Sequence, residues 1–179
     1  MIRSKNIATI LFVILVTALS VIFYSNTIKE FPRAVHAWTQ SDRYAIALKF
    51  LDNGFDFFHP ATYNLKGKEG ITQVDFPINE YVVAIVMKVF GTTDPGVFRI
   101  CVLLYCLLGL YFLFKLVKII TDNYLSGLIA VAFVFTLPFY CYYQAGFIPS
   151  APAFSSALIG VYFLYRFETY RHFSPNLIY

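Results

Sequence analysis

The residues best suited to chemistry lie between the first and second long apolar stretches. One acid there, Asp42, could serve hydroxyl chemistry. A hydroxyl is a poor nucleophile until its proton is taken, so an ionised carboxylate within hydrogen-bond reach is useful as a general base. Asp42 stands in the run WTQSDRYAIALKFLDNG (Trp38–Gly54), beside Ser41, where a helix start is expected. A helix N-terminus favours the ionised carboxylate. The competing reading is a simple cap beside Ser41. Arg43 follows directly, and a guanidinium can grip two phosphate oxygens at once. Lys66 and Lys68 are further candidates for phosphate or headgroup contact, with solvation as the default.

Other chemistries find little support. His36 and His59 have only Asp and Glu as co-ligands, and their spacing does not match a helical metal pair such as H-E-x-x-H, so no metal is expected. Cys101, Cys106 and Cys141 all fall in apolar stretches and read as structural thiols, with neither zinc spacing nor a disulfide framework. There is no phosphate-cradling loop, nucleotide fold or Ser-His-Asp arrangement. No cofactor and no nucleic-acid partner are indicated.

The elements that must position these residues belong to a membrane protein. Hydrophobic residues make up 59% of the 179-residue chain and charged residues 13%, too apolar for a soluble domain. The expected fold is all-α and polytopic, with about four transmembrane helices: residues 7–24, 97–117, 125–143 and 151–167. The first follows Arg3 and Lys5, but its apolar core exceeds a signal h-region and no small-x-small cleavage site follows, so it reads as a retained anchor. Pro77–Phe90 carries Glu80 and Lys88 and is short for a span; it reads as an interfacial helix with proline at its start. The N-terminus is then cytoplasmic. Cytoplasmic segments hold Arg3, Lys5, Lys115, Lys118, Arg166 and Arg171 against Asp122 and Glu168, which accounts for the whole formal charge of +4. Letting Pro77–Phe90 span would move four of those bases outside, against the positive-inside rule.

The large external loop, residues 25–96, divides into three. Ser41–Leu51 reads as a short amphipathic helix with Ser41 as N-cap, Tyr44, Leu48 and Leu51 on one face, and Asn53-Gly54 ending it. An irregular aromatic stretch follows, whose Phe57-Phe58 pair suits a membrane interface. The third part is the helix from Pro77. Arg99, just inside the second span, either snorkels to headgroups or grips a substrate phosphate. Pro138 should kink the third span.

The run HAWTQSDRYAIALKFLDNGFDFFHP, then VDFPINEYVVAIVMKVFG, then VFRI, resembles the N-terminal part of GT-C glycosyltransferases of family 39, the protein-mannosyltransferase and aminoarabinose-transferase-like branch. The resemblance extends over about residues 5–170. It implies sugar transfer from a polyprenyl-phosphate carrier to a lipid, glycan or protein acceptor on the external face of a membrane, in the bacterial case the plasma membrane. It also implies that the first-loop acid, here Asp42, activates the acceptor. With the resemblance in hand, His36, Trp38 and Gln40 read as sugar-pocket residues, Trp38 stacking on a sugar face and Gln40 bonding hydroxyls. An interfacial tryptophan is almost as good a reading for Trp38.

The chain departs from the family pattern twice. Ser150 stands where many relatives carry a second acid after a proline. Asp75 replaces the glutamate often found before the FP pair. Asp75 and Glu80 are therefore candidates for acceptor binding or for partly taking over the missing acid's role, with a solvated loop acid as the competing reading. Relatives usually have more spans, which suggests a fragment, inactive by itself. A non-catalytic membrane binding or assembly subunit is the rival reading. A transporter is weakly supported, because the spans lack ionisable side chains near mid-membrane.

Overall fold

The computed structural model describes the backbone of residues 2–64 and 70–173, so Lys66, Lys68 and the SPNLIY tail lie outside the described residues. These residues form seven helices: α1 Ile2–Tyr24, α2 Ala37–Asp52, α3 Ile78–Phe90, α4 Pro95–Thr121, α5 Tyr124–Thr136, α6 Pro138–Tyr143 and α7 Ser150–Phe173. Among the described residues there is no strand, only an isolated antiparallel bridge between Ala61 and Ile71.

Two helices are long and apolar enough to cross a membrane, α1 over Ile7–Tyr24 and α4 over Pro95–Thr121. The stretch expected as a single span over 125–143 is instead divided between α5 and α6. Leu137 ends α5 with ψ 125°, as expected of a residue whose neighbour is proline, and Pro138 opens α6. α5, at 13 residues, is shorter than a bilayer core requires. α7 has spanning length at 24 residues, but its apolar character falls short of α1 and α4.

The chain forms two compact units. The first comprises Met1–Phe23, Tyr105–Cys141 and Ala151–Tyr179. Aromatic rings build much of its interior: Phe12 packs against Tyr111 at 5.4 Å and Phe114 at 5.5 Å, and Phe112 against Tyr162 at 5.0 Å. The Tyr140 hydroxyl donates to the Cys106 carbonyl at 3.2 Å and lies 2.9 Å from Ser155 Oγ, so the buried phenol is satisfied. Residue 109 must be small. A Cβ added to Gly109 would lie 2.7 Å from the Ser155 Cα, so α4 and α7 meet backbone to backbone there.

The second unit comprises Tyr24–Leu104 and Tyr142–Ser150. Its core is the packing of α2 on α3, where Ile46, Phe50 and Ala84 are buried and Leu51, Phe55, Val74 and Tyr81 close around them. α3 begins immediately after Pro77, as its proline requires, and ends at Gly91. α2 begins at Ala37 rather than at Ser41, and its buried face is Gln40, Arg43, Tyr44, Ile46, Ala47 and Phe50. Tyr44 thus keeps its inward place, while Leu48 and Leu51 are only half-buried. The helix stops at Asn53, whose N–H donates to Lys49 O at 2.8 Å, followed by Gly54 at φ 69°.

Gly109→Ala should destabilise the protein by about 1–3 kcal/mol, the usual cost of forcing atoms into a packed contact. Thermal unfolding in detergent micelles checks this. An unchanged midpoint would mean that the two helices can separate at no cost.

Candidate functional site

The start of α2 is held in a strained shape. Ala34 and His36 both adopt left-handed backbone conformations, at φ 61° and 57°. Each costs about 1–3 kcal/mol for a non-glycine residue unless the surroundings impose it. Here they do. The Gln40 side-chain amide donates to Val35 O at 2.8 Å and Arg33 O at 3.3 Å, and the Tyr142 hydroxyl donates to Val35 O at 3.1 Å. Gln40 is 3% exposed, so its amide is spent on the backbone rather than offered to a ligand. His36 is the N-cap but makes no side-chain capping bond; its exposed ring lies 6.2 Å from that of Tyr143.

Because α2 begins at Ala37, Asp42 sits in its second turn and does not cap it. The expected help from the helix N-terminus is therefore weaker than a start at Ser41 would give. The Asp42 side chain is half-buried and makes no hydrogen bond or ion pair among the described residues. One turn earlier, at the i,i+4 spacing that puts two side chains on one helix face, stands Trp38, 76% exposed.

Arg43 is the electrostatic centre of the unit. Its guanidinium donates through Nη2 to Asp75 Oδ2 at 2.7 Å and through Nη1 to Glu80 Oε1 at 3.3 Å. Its side chain is 10% exposed, Asp75 is 76% exposed and Glu80 is fully buried. The sequence offered these three as separate substrate contacts; the structure brings them together as contacts with one another. Burial pushes the Glu80 carboxyl above its ordinary value, and the Arg43 charge only partly offsets that. Two features of the geometry account for the imbalance. Arg43 is closer to Asp75, and Glu80 Oε2 is buried with no hydrogen-bond partner among the described residues.

Arg99 neither snorkels nor stands free. It is 9% exposed, donates from Nε to Glu30 O at 2.9 Å and from Nη1 to Ala145 O at 2.7 Å, and lies 4.7 Å from the centre of the Phe147 ring. It clips the segment after α1 to the turn before α7. Ser150 is the exposed first residue of α7. Among the described residues no cluster of His, Cys, Asp and Glu is arranged to hold a metal ion.

Two residues have roles that the sequence did not signal. Tyr142 reaches the strained turn from 107 positions away, and Tyr44, singled out only as an apolar face residue, donates its hydroxyl to Thr93 O. Tyr44 also packs edge-on against Phe147 at 5.5 Å and Phe98 at 6.3 Å, and burial pushes its phenol up.

A carboxyl raised in the folded state adds stability below its unfolded value and loses it as pH rises through the folded value. Glu80 should therefore make the thermal midpoint fall as pH rises from about its ordinary value of 4.5. Glu80→Gln should flatten that fall and leave the protein at least as stable at pH 7, measured by thermal unfolding across pH. A steeper fall in the variant would assign the stability to the ionised pair instead.

Residues 75–178 match the family described as dolichyl-phosphate-mannose-protein mannosyltransferase. The match spans more than half of the chain, from Asp75 through α3, α4, α5, α6 and α7, and takes in Glu80, Arg99 and Ser150 but not α2. No curated protein and no solved structure matches the chain. An all-helical protein with two apolar helices of spanning length, matched over that extent, belongs to the dolichyl-phosphate-mannose-protein mannosyltransferase family, membrane glycosyltransferases of the GT-C type.

Proposed function

We propose that this chain takes part in sugar transfer from a polyprenyl-phosphate carrier to a hydroxyl acceptor on the external face of the membrane, with Asp42 as general base. The observation that carries the reading is Asp42 itself: a half-buried carboxylate with no partner among the described residues, one helical turn from an exposed indole. Gln40, Arg43 and Arg99 are by contrast bonded within the protein. Asp42 takes the proton of the acceptor hydroxyl as its oxygen attacks the anomeric carbon. The bond from that carbon to the carrier phosphate breaks, and the electron pair leaves with the phosphate, inverting the sugar configuration.

The other residues take supporting roles. Trp38 offers a flat apolar face to a sugar ring, and exposed His36, two residues earlier in the chain, is a second pocket candidate. Arg43 locks α2 to α3 and so holds Asp42 in register. Exposed Asp75 is placed to accept hydrogen bonds from sugar or acceptor hydroxyls. Arg99 and Gln40 act through the backbone they bind.

The topology goes with this reading. α1, α4, the broken α5–α6 pair and α7 form four spans with the N-terminus inside, because that arrangement puts the excess positive charge on the cytoplasmic side. α3 lies along the membrane surface. Its outward residues Ile78, Val82, Ile85 and Val89 follow helical spacing and are 43–76% exposed, a second apolar stripe opposite the one on α2.

A non-catalytic binding subunit is the second reading, favoured by the number of polar groups already committed internally. Sugar transfer by the full-length gene product, in membranes supplied with polyprenyl-phosphate sugars, separates the two. Asp42→Asn should lower kcat by about 10²–10⁴-fold with normal membrane insertion, the usual worth of a general base. Trp38→Ala should raise KM more than it lowers kcat. Unchanged transfer in Asp42→Asn would retire Asp42 as the base, and no transfer by the wild type across several donors would favour the binding subunit.

A further inference from the structure

Residues 57–60 and 71–77 enclose an open trough of about 770 Å³, and among the described residues no charged side chain lines it. Its apolar wall is Phe57, Phe58, Pro60, Ile71 and Phe76; Thr72 and Gln73 add the polar side chains. The volume lies in the range of sites that take small ligands.

The trough is built rather than incidental. Phe57 is anchored to the α2–α3 core, edge-on to Tyr81 at 5.1 Å and to Phe76 at 5.1 Å, and stacked on Phe50 at 6.5 Å. The far wall is pinned by backbone bonds from Thr62 N to Gly70 O and from Thr72 N to Pro60 O, both 2.9 Å. Gly70 makes this possible: at φ 81°, with the Thr62 carbonyl against the place a Cβ would occupy, no other residue fits without strain. Lys88 lies 4.8 Å from the Phe55 ring centre and Lys49 4.4 Å from that of Tyr63, so the segment is held on both sides.

Among the described residues, the rim is uncovered. Phe58 is 85% exposed, Phe76 69% and Ile71 47%. A soluble surface seldom leaves so much apolar area contiguous without an occupant. We propose that the trough takes an acyl chain of a bilayer lipid and so anchors the second unit to the membrane surface. Two observations choose this occupant. The segment is joined in both directions to helices that can cross a membrane, ending at Tyr24 and beginning at Pro95, so lipid is within reach of its tether. Pro77, part of the trough lining, also starts α3, so the trough runs directly into the outward apolar stripe of that helix. The described lining, apolar side chains with only Thr72 and Gln73 polar beside them, suits hydrocarbon. The inference rests on the membrane reading but needs neither Asp42 nor a sugar donor.

The test reconstitutes the full chain in phosphatidylcholine vesicles, with Trp38→Phe removing the only native indole and Phe58→Trp placing one on the trough rim. Acyl chains brominated near their middle should quench most of that emission, and aqueous acrylamide should quench little. Thr72→Asp, which sets a charge on the trough wall, should abolish the bromine quenching while the protein remains inserted. Emission quenched by acrylamide but not by bromine would overturn the proposal. So would bromine quenching that survives Thr72→Asp, because the indole would then report general contact with the surface. No donor or acceptor is present, so a failure here is distinct from a failure of sugar transfer.

Discussion

A buried guanidinium cannot remain unpaired, because transferring an isolated charge out of water costs far more than any local contact returns. Arg43 is such a group, and its neutralisation organises the second unit. It stands on α2 and its two partners come from the following segment, Glu80 from α3 and Asp75 from the residues just before it. The pair of bonds therefore fixes how far α2 may slide or rotate against α3. Phe50, Ile46 and Ala84 fill the contact, but apolar packing alone would accept several registers. The ion pairs select one.

That register has consequences on the opposite side of α2. With Arg43 turned inward, Asp42 and Trp38 are turned toward the uncovered side, and neither is consumed by the fold. The strained turn at Ala34 and His36 completes the arrangement by fixing where α2 begins. Its cost is met by Gln40 and Tyr142, whose donors bind the carbonyls that the left-handed residues expose. Polar groups that looked like ligand contacts are in this way supports of the fold, while Asp42 has no partner among the described residues.

Much of the architecture was legible in the sequence for simple reasons. Apolar runs near 20 residues specify α1 and α4, and proline marks the start of α3 and the break between α5 and α6. Asn53-Gly54 ends α2 because glycine enters the left-handed region at no steric cost. The start of α2 was misplaced by four residues for an equally physical reason. Ser41 is a good local cap, yet the helix extends back to Ala37 because side-chain bonds from a residue 107 positions away hold the preceding turn. No local rule registers that support.

The sequence by itself determined the class of protein, the apolar helices and the set of acids and bases available to a site, since these follow from composition, periodicity and residue chemistry. Only the tertiary structure decided which of those groups face one another. Arg43, Asp75 and Glu80 read alike as candidates for substrate, and so did Gln40 and Arg99. Once the chain is folded, the buried cations and amides must satisfy their donors internally, because water is no longer there to do it. Asp42 was left without a partner among the described residues by the same requirement. Its availability is a property of the packing around it, which no spacing in the sequence encodes.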